Sequence, residues 1–255
     1  MAVPASAVAD LLQRPDVWRG GQLSRAAAPV RASGHAALDA VLPGGGWPCG
    51  ELTELLSREA GIGELSLLLP ALAALDPEAG WVVLVAPPWR PHAPAWLAAG
   101  VPLDRLLVVE AGATDAAWAC EQLLASGALA ALLAWLPDSD ARGLRRLQLA
   151  AHGRRSLAFV FRPHTVAASA SPAPLRLALA AAEGGLAVEV LKRRGPPLAA
   201  PLRLAVPRPL HWDRLAPAAP VAGAAPAAEP TPSPAPPHLA PAAAGRRPPH
   251  AAVAA

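Results

Sequence analysis

The sequence predicts an α/β protein: a mostly parallel sheet flanked by helices, with an antiparallel hairpin at its C-terminal edge. Three observations predict it. Short runs that are apolar on both faces, such as Trp81–Ala86 (WVVLVA) and Ala128–Leu136 (ALAALLAWL), read as strands buried from two sides. They alternate with stretches whose leucines recur at helical spacing, such as Leu65, Leu68, Leu69 and Leu72. After Pro174 the period changes, and Leu175–Ala180 and Leu186–Leu191 flank Glu183-Gly184-Gly185 as a hairpin.

Taken in order, residues 1–30 are an N-terminal arm and linker, with one short helix over Ala5–Leu12. Trp18 in this arm either pins it to the core or docks a partner. The core domain is expected over residues 31–212. A short helix fits Gly34–Leu42, with Leu38 and Leu42 on one side, and Pro43 with three glycines ends it. Glu51–Leu56 alternates and reads as the first core strand. The helix over Glu64–Leu75 contains Pro70, which should kink it or loosen its first turns.

Trp81–Ala86 is the second strand, followed by the rigid loop Pro87-Pro88-Trp89-Arg90-Pro91 and a short helix over Ala93–Ala99 carrying Trp96. Leu106–Glu110 is the third strand. Thr114 is suited to cap a helix over Asp115–Ala125. Ala128–Leu136 is the fourth strand, and Ser139 or Asp140 starts a helix to Ala151. That helix is basic on one side (Arg142, Arg145, Arg146) and leucine-rich on the other. Leu157–Phe161 is the fifth strand, and Leu202–Val206 adds one antiparallel strand beyond the hairpin. Residues 213–255 are rich in Ala and Pro, carry almost no large apolar residues, and should be disordered.

Composition narrows the function classes. The chain has 255 residues with a formal charge of +3, from 22 Lys+Arg against 19 Asp+Glu. This balance permits contact with nucleic acid without indicating it. Two cysteines, Cys49 and Cys120, match no metal spacing. His92, His152, His164 and His211 are scattered, so neither a catalytic triad nor a metal cluster is supported. The N-terminus lacks the basic-then-apolar pattern of a signal peptide, and no apolar run spans a bilayer. A cytoplasmic protein without membrane association, cofactor, metal or catalytic residues is expected.

Strand, glycine loop and leucine-rich helix at residues 51–75 are the context of a phosphate-binding loop, but its chemistry is missing. Arg58 stands at the first glycine of the pattern G-x-x-x-x-G-K-[ST], and Glu64-Leu65 follows Gly63 in place of lysine and a hydroxyl. A carboxylate at Glu64 repels phosphate and itself suits the helix N-terminus. Candidate partner contacts are the Trp89-Arg90 loop, Trp118, and the helix arginines Arg145 and Arg146. Lys192-Arg193-Arg194 after the hairpin is either a solvated strand end or a basic contact with a protein or a nucleic-acid backbone.

Six stretches in order carry a resemblance: LPGGGWPCGELTELL (42–56), GIGELSLLLPALA (61–73), VAPPWRPHAPAWLAAGV (85–101), WACEQLLASGALAALLAWLP (118–137), LRRLQLAA (144–151) and EVLKRRG (189–195). Through them the chain resembles the ImuA family, RecA-related accessory proteins of bacterial translesion synthesis that are sometimes labelled SulA-like. The more distant RecA frame is represented by Ser33, Gly34, Ala37, Leu38, Asp39, Gly45, Gly46, Pro48 and Gly50. RecA's loop lysine and threonine then fall at Glu64 and Leu65, its catalytic glutamate at Pro88, and its magnesium-supporting aspartate at Trp135. Its two inter-subunit lysines match Lys192 and Arg194.

The resemblance implies a RecA-like P-loop NTPase-type core with a degenerate nucleotide site. It also implies a non-catalytic, SOS-induced adaptor of mutagenic DNA repair, nucleoid-associated during DNA damage. Its implied partners are RecA, an ImuB-type inactive Y-family polymerase and a DnaE-type error-prone polymerase, with direct DNA contact and self-association left open. Two alternatives stand beside it. One is a nucleotide-responsive RecA-like ATPase that binds DNA. The other is a SulA-like cell division inhibitor, which would make cells filamentous and bind the tubulin-like division protein.

Overall fold

The computed structural model describes residues 29–198 and 200–206. The helix expected at Ala5–Leu12, Trp18, His211 and the Ala/Pro-rich tail lie outside the described residues.

The chain opens with a two-stranded ribbon, β1 (Val30–Arg31) antiparallel to β2 (Trp47–Pro48). Between them lies one turn of helix, α1 (Ala36–Asp39), half the length the leucine spacing suggested. Gly46 is needed where the ribbon closes: a Cβ there would sit 2.2 Å from the Arg31 carbonyl oxygen. Trp47 is fully buried and meets Phe159 edge to face, ring centroids 5.2 Å apart.

The main sheet has eight strands in the order β10-β9-β8-β3-β7-β6-β4-β5. They are β3 (Leu52–Ser57), β4 (Trp81–Val85), β5 (Leu106–Val109), β6 (Leu129–Trp135), β7 (Leu157–Pro163), β8 (Leu175–Ala182), β9 (Gly185–Lys192) and β10 (Leu202–Ala205). From β8 to β5 every neighbouring pair is parallel, and β9 and β10 are antiparallel additions.

Two apolar cores arise from the double-sided strands. Val82, Leu84, Ala131, Leu133 and Phe159 face one side, against α2 (Glu64–Ala73) and Trp96 of α3 (Ala93–Ala98). Val83, Val85, Leu132, Ala134 and Val160 face the other, against α4 (Ala113–Ser126) and α5 (Ala141–Ala151). The α2 helix runs through Pro70 unbroken, and Pro70 packs where a side chain on Gly34 would otherwise stand. The start of α4 is at Gly112, not Thr114, so no side chain caps it. Asp140 caps α5, its carboxylate accepting from the Gly143 N–H at 2.7 Å.

The two ends of the sheet order differ. On the β5 side Leu107 is 43% exposed and Val108 37%, both in the outermost strand. No helix among the described residues is long and apolar enough to cross a membrane.

Candidate functional site

The loop after β3 turns through Gly61 (φ +79°) and Gly63 (φ +106°), conformations that L side chains avoid. Glu64 opens α2 and is only 7% exposed. Its carboxylate accepts from the N–H of Gly61 at 2.9 Å and of Gly63 at 3.1 Å. Backbone N–H groups that would cradle a phosphate are thus satisfied by the chain's own anion. Arg58 is exposed on the loop, and Leu65 packs against the first core. The expected P-loop NTPase-type core is corrected on this ground. The loop has no lysine and no hydroxyl, and its donors already hold Glu64.

Beside this loop lies an apolar groove of about 260 Å³ at the carboxyl ends of the parallel strands. Gly61–Leu65 forms one wall, and Trp96 and Trp135 contribute aromatic surface. Trp135 is held by stacking on Phe161, with centroids 4.6 Å apart and planes 14° from parallel. The far wall is Pro87-Pro88-Trp89-Arg90. On its outer side the same wall borders a second hollow of about 490 Å³, reaching Val108 and Gly112. This segment is therefore a ridge between two cavities.

The ridge is stiff for chemical reasons. Two prolines fix φ and remove donors. Ala86, where the strand becomes the ridge, sits at φ +50°, a conformation that costs a non-glycine residue roughly 1–2 kcal/mol. Its N–H donates to the Val109 carbonyl at 2.9 Å, which ties the base of the ridge to β5. At the tip Trp89 is 64% exposed, next to exposed Arg90. A large rigid aromatic beside a guanidinium is the residue pair that anchors protein interfaces. Glu64 and His92 are in the groove lining, and the Glu64 carboxylate is engaged by the loop's own N–H groups, while Pro88 and Trp135 carry no acid.

The other candidate contacts are elsewhere. Trp118 is 59% exposed on α4, and Arg145 is exposed on α5. Arg146 ion-pairs with Glu121 across the two helices. The Lys192 ammonium donates to the Ser171 carbonyl at 2.7 Å, and Arg194 pairs at 2.6 Å with nearly buried Glu51. Lys192 lies opposite Arg176 in the β8–β9 register, at the amino end of β3. Lys192 and Arg194 are thus at the opposite pole of the sheet from the groove, each with an intramolecular partner.

Sequence reasoning missed one constellation. Glu54 is 0% exposed, and its carboxylate accepts from Arg176 Nε at 3.0 Å and from the Ser171 hydroxyl. Arg162 Nη1 stands 3.7 Å from the same carboxylate. Arg176 also donates to the carbonyls of Val166, Ala167 and Ser169, and Arg162 to that of Ser139. Burial lowers the Arg162 pKa, with Arg176 adding to the effect and Glu54 opposing it. The cluster clamps the β7–β8 connection. Charged residues inside the apolar runs LTELL, FVFRP and LRLAL were the available signal.

Cys49 and Cys120 are both free and buried; burial raises both thiols, Cys120 to about 12. Among the described residues no group of three or more His, Cys, Asp or Glu is placed to hold a metal ion.

Comparison with known proteins bears on residues of this groove. The family model described as "Cell division inhibitor SulA" matches residues 50–157. The cell division inhibitor SulA of Photorhabdus laumondii subsp. laumondii is 32% identical over 111 residues, covering 43% of this chain and 63% of that protein. Its counterpart from Edwardsiella piscicida is 36% identical over 113 residues, covering 42% of this chain and 67% of that protein. The chain thus spans roughly two thirds of the length of the curated relatives it matches. A crystal structure of SulA from Pseudomonas aeruginosa aligns with a TM-score of 0.38 at 22% identity, covering 44% of this chain and 97% of that one.

The ImuA resemblance is overturned by these matches, and the RecA-like P-loop assignment falls with it. So does the expected role as an SOS-induced adaptor of translesion synthesis and mutagenesis, and the resemblance no longer implies RecA or the two polymerases as partners. With 36% identity across two thirds of a curated relative, this chain belongs to the SulA family.

Proposed function

We propose that this chain inhibits cell division by docking on a division protein in the cytoplasm, with the groove and its Trp89 ridge as the contact. One observation carries the reading. Every residue lining the groove, from Gly61 to Trp135, lies inside the span 50–157 matched by the division-inhibitor family. A non-catalytic inhibitor acts by occupying a surface. The site is suited to that: apolar floor, proline-stiffened wall, an exposed tryptophan and an adjacent arginine. Pre-organisation of the ridge lowers the entropy lost on binding.

Expression in dividing cells should produce filaments, and purified chain should bind the tubulin-like division protein. Trp89→Ala should weaken that binding by about 2 kcal/mol or more, roughly 30-fold, and restore division without lowering the thermal midpoint. Normal division at verified expression of the unaltered chain would reject the reading.

A further inference from the structure

We infer that the face at the amino ends of β3, β7 and β8 binds the phosphate backbone of nucleic acid. The inference is independent of the groove and of the division reading.

Cations reach this face from three stretches of chain. Arg31 lies on β1, Arg154 and Arg155 come just before β7, and Lys192, Arg193 and Arg194 end and follow β9. The turn at Cys49–Glu51 gathers them. The Gly50 N–H donates to the Ser156 carbonyl at 2.9 Å, and a Cβ on Gly50 would stand 2.4 Å from the Arg154 carbonyl oxygen. Gly50 thus lets the Arg154-Arg155 backbone lie against this turn. On one side of it, Arg31 and Arg155 stand close enough to the Cys49 thiol to oppose the rise that burial gives its pKa. On the other, Glu51 pairs with Arg194 at 2.6 Å.

These cations are fixed in place but barely neutralised. Among the described residues, Glu51 is the one carboxylate that ion-pairs with any of them. Arg154 donates to the Ala125 carbonyl at 2.6 Å and Lys192 to that of Ser171 at 2.7 Å. Arg193 donates to the carbonyls of Val41 and Pro196. A carbonyl dipole sets where a cation stands and leaves its net charge intact. Arg154, Arg155, Lys192 and Arg194 are exposed.

An extended polyanion fits this face better than a single small anion. Neighbouring strands lie about 4.8 Å apart, so the three steps from β7 across β3 and β8 to β9 spread the charge over about 14 Å. Nucleic acid repeats its phosphates along such a length, and guanidinium groups meet phosphate as a planar fork. An acidic protein would also match the charge, but protein interfaces bury an apolar centre. None of the large apolar side chains exposed among the described residues belongs to the stretches 29–51, 154–156 or 192–197. Backbone phosphate contacts need no such centre, and they carry no sequence preference.

Fluorescence anisotropy of a labelled oligothymidylate with the purified full chain tests this. Binding is expected at low salt, with log K falling linearly as log salt rises. Arg155→Glu/Lys192→Glu should weaken it at least about tenfold. Arg58→Glu/Arg142→Glu changes the net charge equally, but at the carboxyl ends of the strands, and should weaken it less than about twofold. Equal losses in the two variants would reduce the binding to overall charge and overturn the inference. So would absence of binding by the unaltered chain at low salt. Lys192→Gln, a milder change, should lower the salt slope by about 0.7, the share of one phosphate contact. An unchanged slope overturns the inference. Polyglutamate that binds as tightly as the oligothymidylate also overturns it, and assigns the face to an acidic protein. No division protein enters these measurements, so their failure is distinct from failure of the proposed function.

Discussion

Among the described residues, Glu54 is the carboxylate that faces the two buried guanidinium groups of Arg162 and Arg176. Removing it leaves both cations without a counter-charge in a site closed to water. Glu54→Ala should therefore cost about 3–5 kcal/mol, while replacing a whole buried ion cluster by apolar groups is often nearly neutral. Urea melts check it; a loss under about 1 kcal/mol would mean that solvent reaches the cluster. Cys120 gives a prediction of opposite pH sense to most carboxylates. Its folded pKa, about 12, lies above its ordinary 9.0, so the folded state holds the proton more tightly. The stability this confers is complete below pH 9 and drains away as pH rises toward 12. Cys120→Ala should flatten the alkaline fall of the urea midpoint; an unchanged slope would assign that fall to other groups. Single residues were unevenly legible. Loss of phosphate chemistry was readable at Glu64 and Leu65 because that chemistry needs particular side chains. Glu54 was missed because the alternation of Glu51–Leu56 suggests one wet face, whereas β3 is central and has none.

Strands were the most legible elements, since double-sided burial demands continuous apolar runs. Helix starts were less so: Gly112, with no side chain to signal it, begins α4 in place of Thr114. The α2 helix shows what periodicity cannot reveal. Pro70 neither ends nor splits it, and Pro70 packs against Gly34 from the loop before α1. A Cβ on Gly34 would stand 2.3 Å from Pro70 Cβ, at φ +82°. Gly45 shares nearly the same backbone, φ +84°, with nothing within 4 Å. Gly34→Ala should then destabilise by at least about 2 kcal/mol, and Gly45→Ala by only the conformational part, roughly 1 kcal/mol. Equal losses in thermal melts would show that Pro70 and α2 yield to the intruding methyl. The ridge was legible as rigid from its prolines, but the groove was not. Its lining comes from three separate stretches, within residues 61–69, within 84–96 and at 135, and only the sheet order brings them together.

At the scale of the whole molecule, the stretches that suggested ImuA encode turns, strand ends and helix starts. Four of the six fall wholly or mostly within the 50–157 span matched by the SulA model. Glycine turns and apolar strands record how a sheet is assembled, and they discriminate poorly between families that assemble one similarly. Among the described residues, the β5 border of the sheet is apolar and exposed. The β5 strand closes one end of the sheet order with Leu107 and Val108 in solvent, and no charged residue lies within its four positions. Backbone donors and acceptors along that border invite a strand from another molecule, and apolar side chains reward the pairing. The practical consequence is colloidal: at high concentration the protein should self-associate through β5 and precipitate before it unfolds. Leu107→Lys should raise the concentration at which turbidity appears while leaving the melting temperature in place, and unchanged turbidity would move the sticky surface elsewhere.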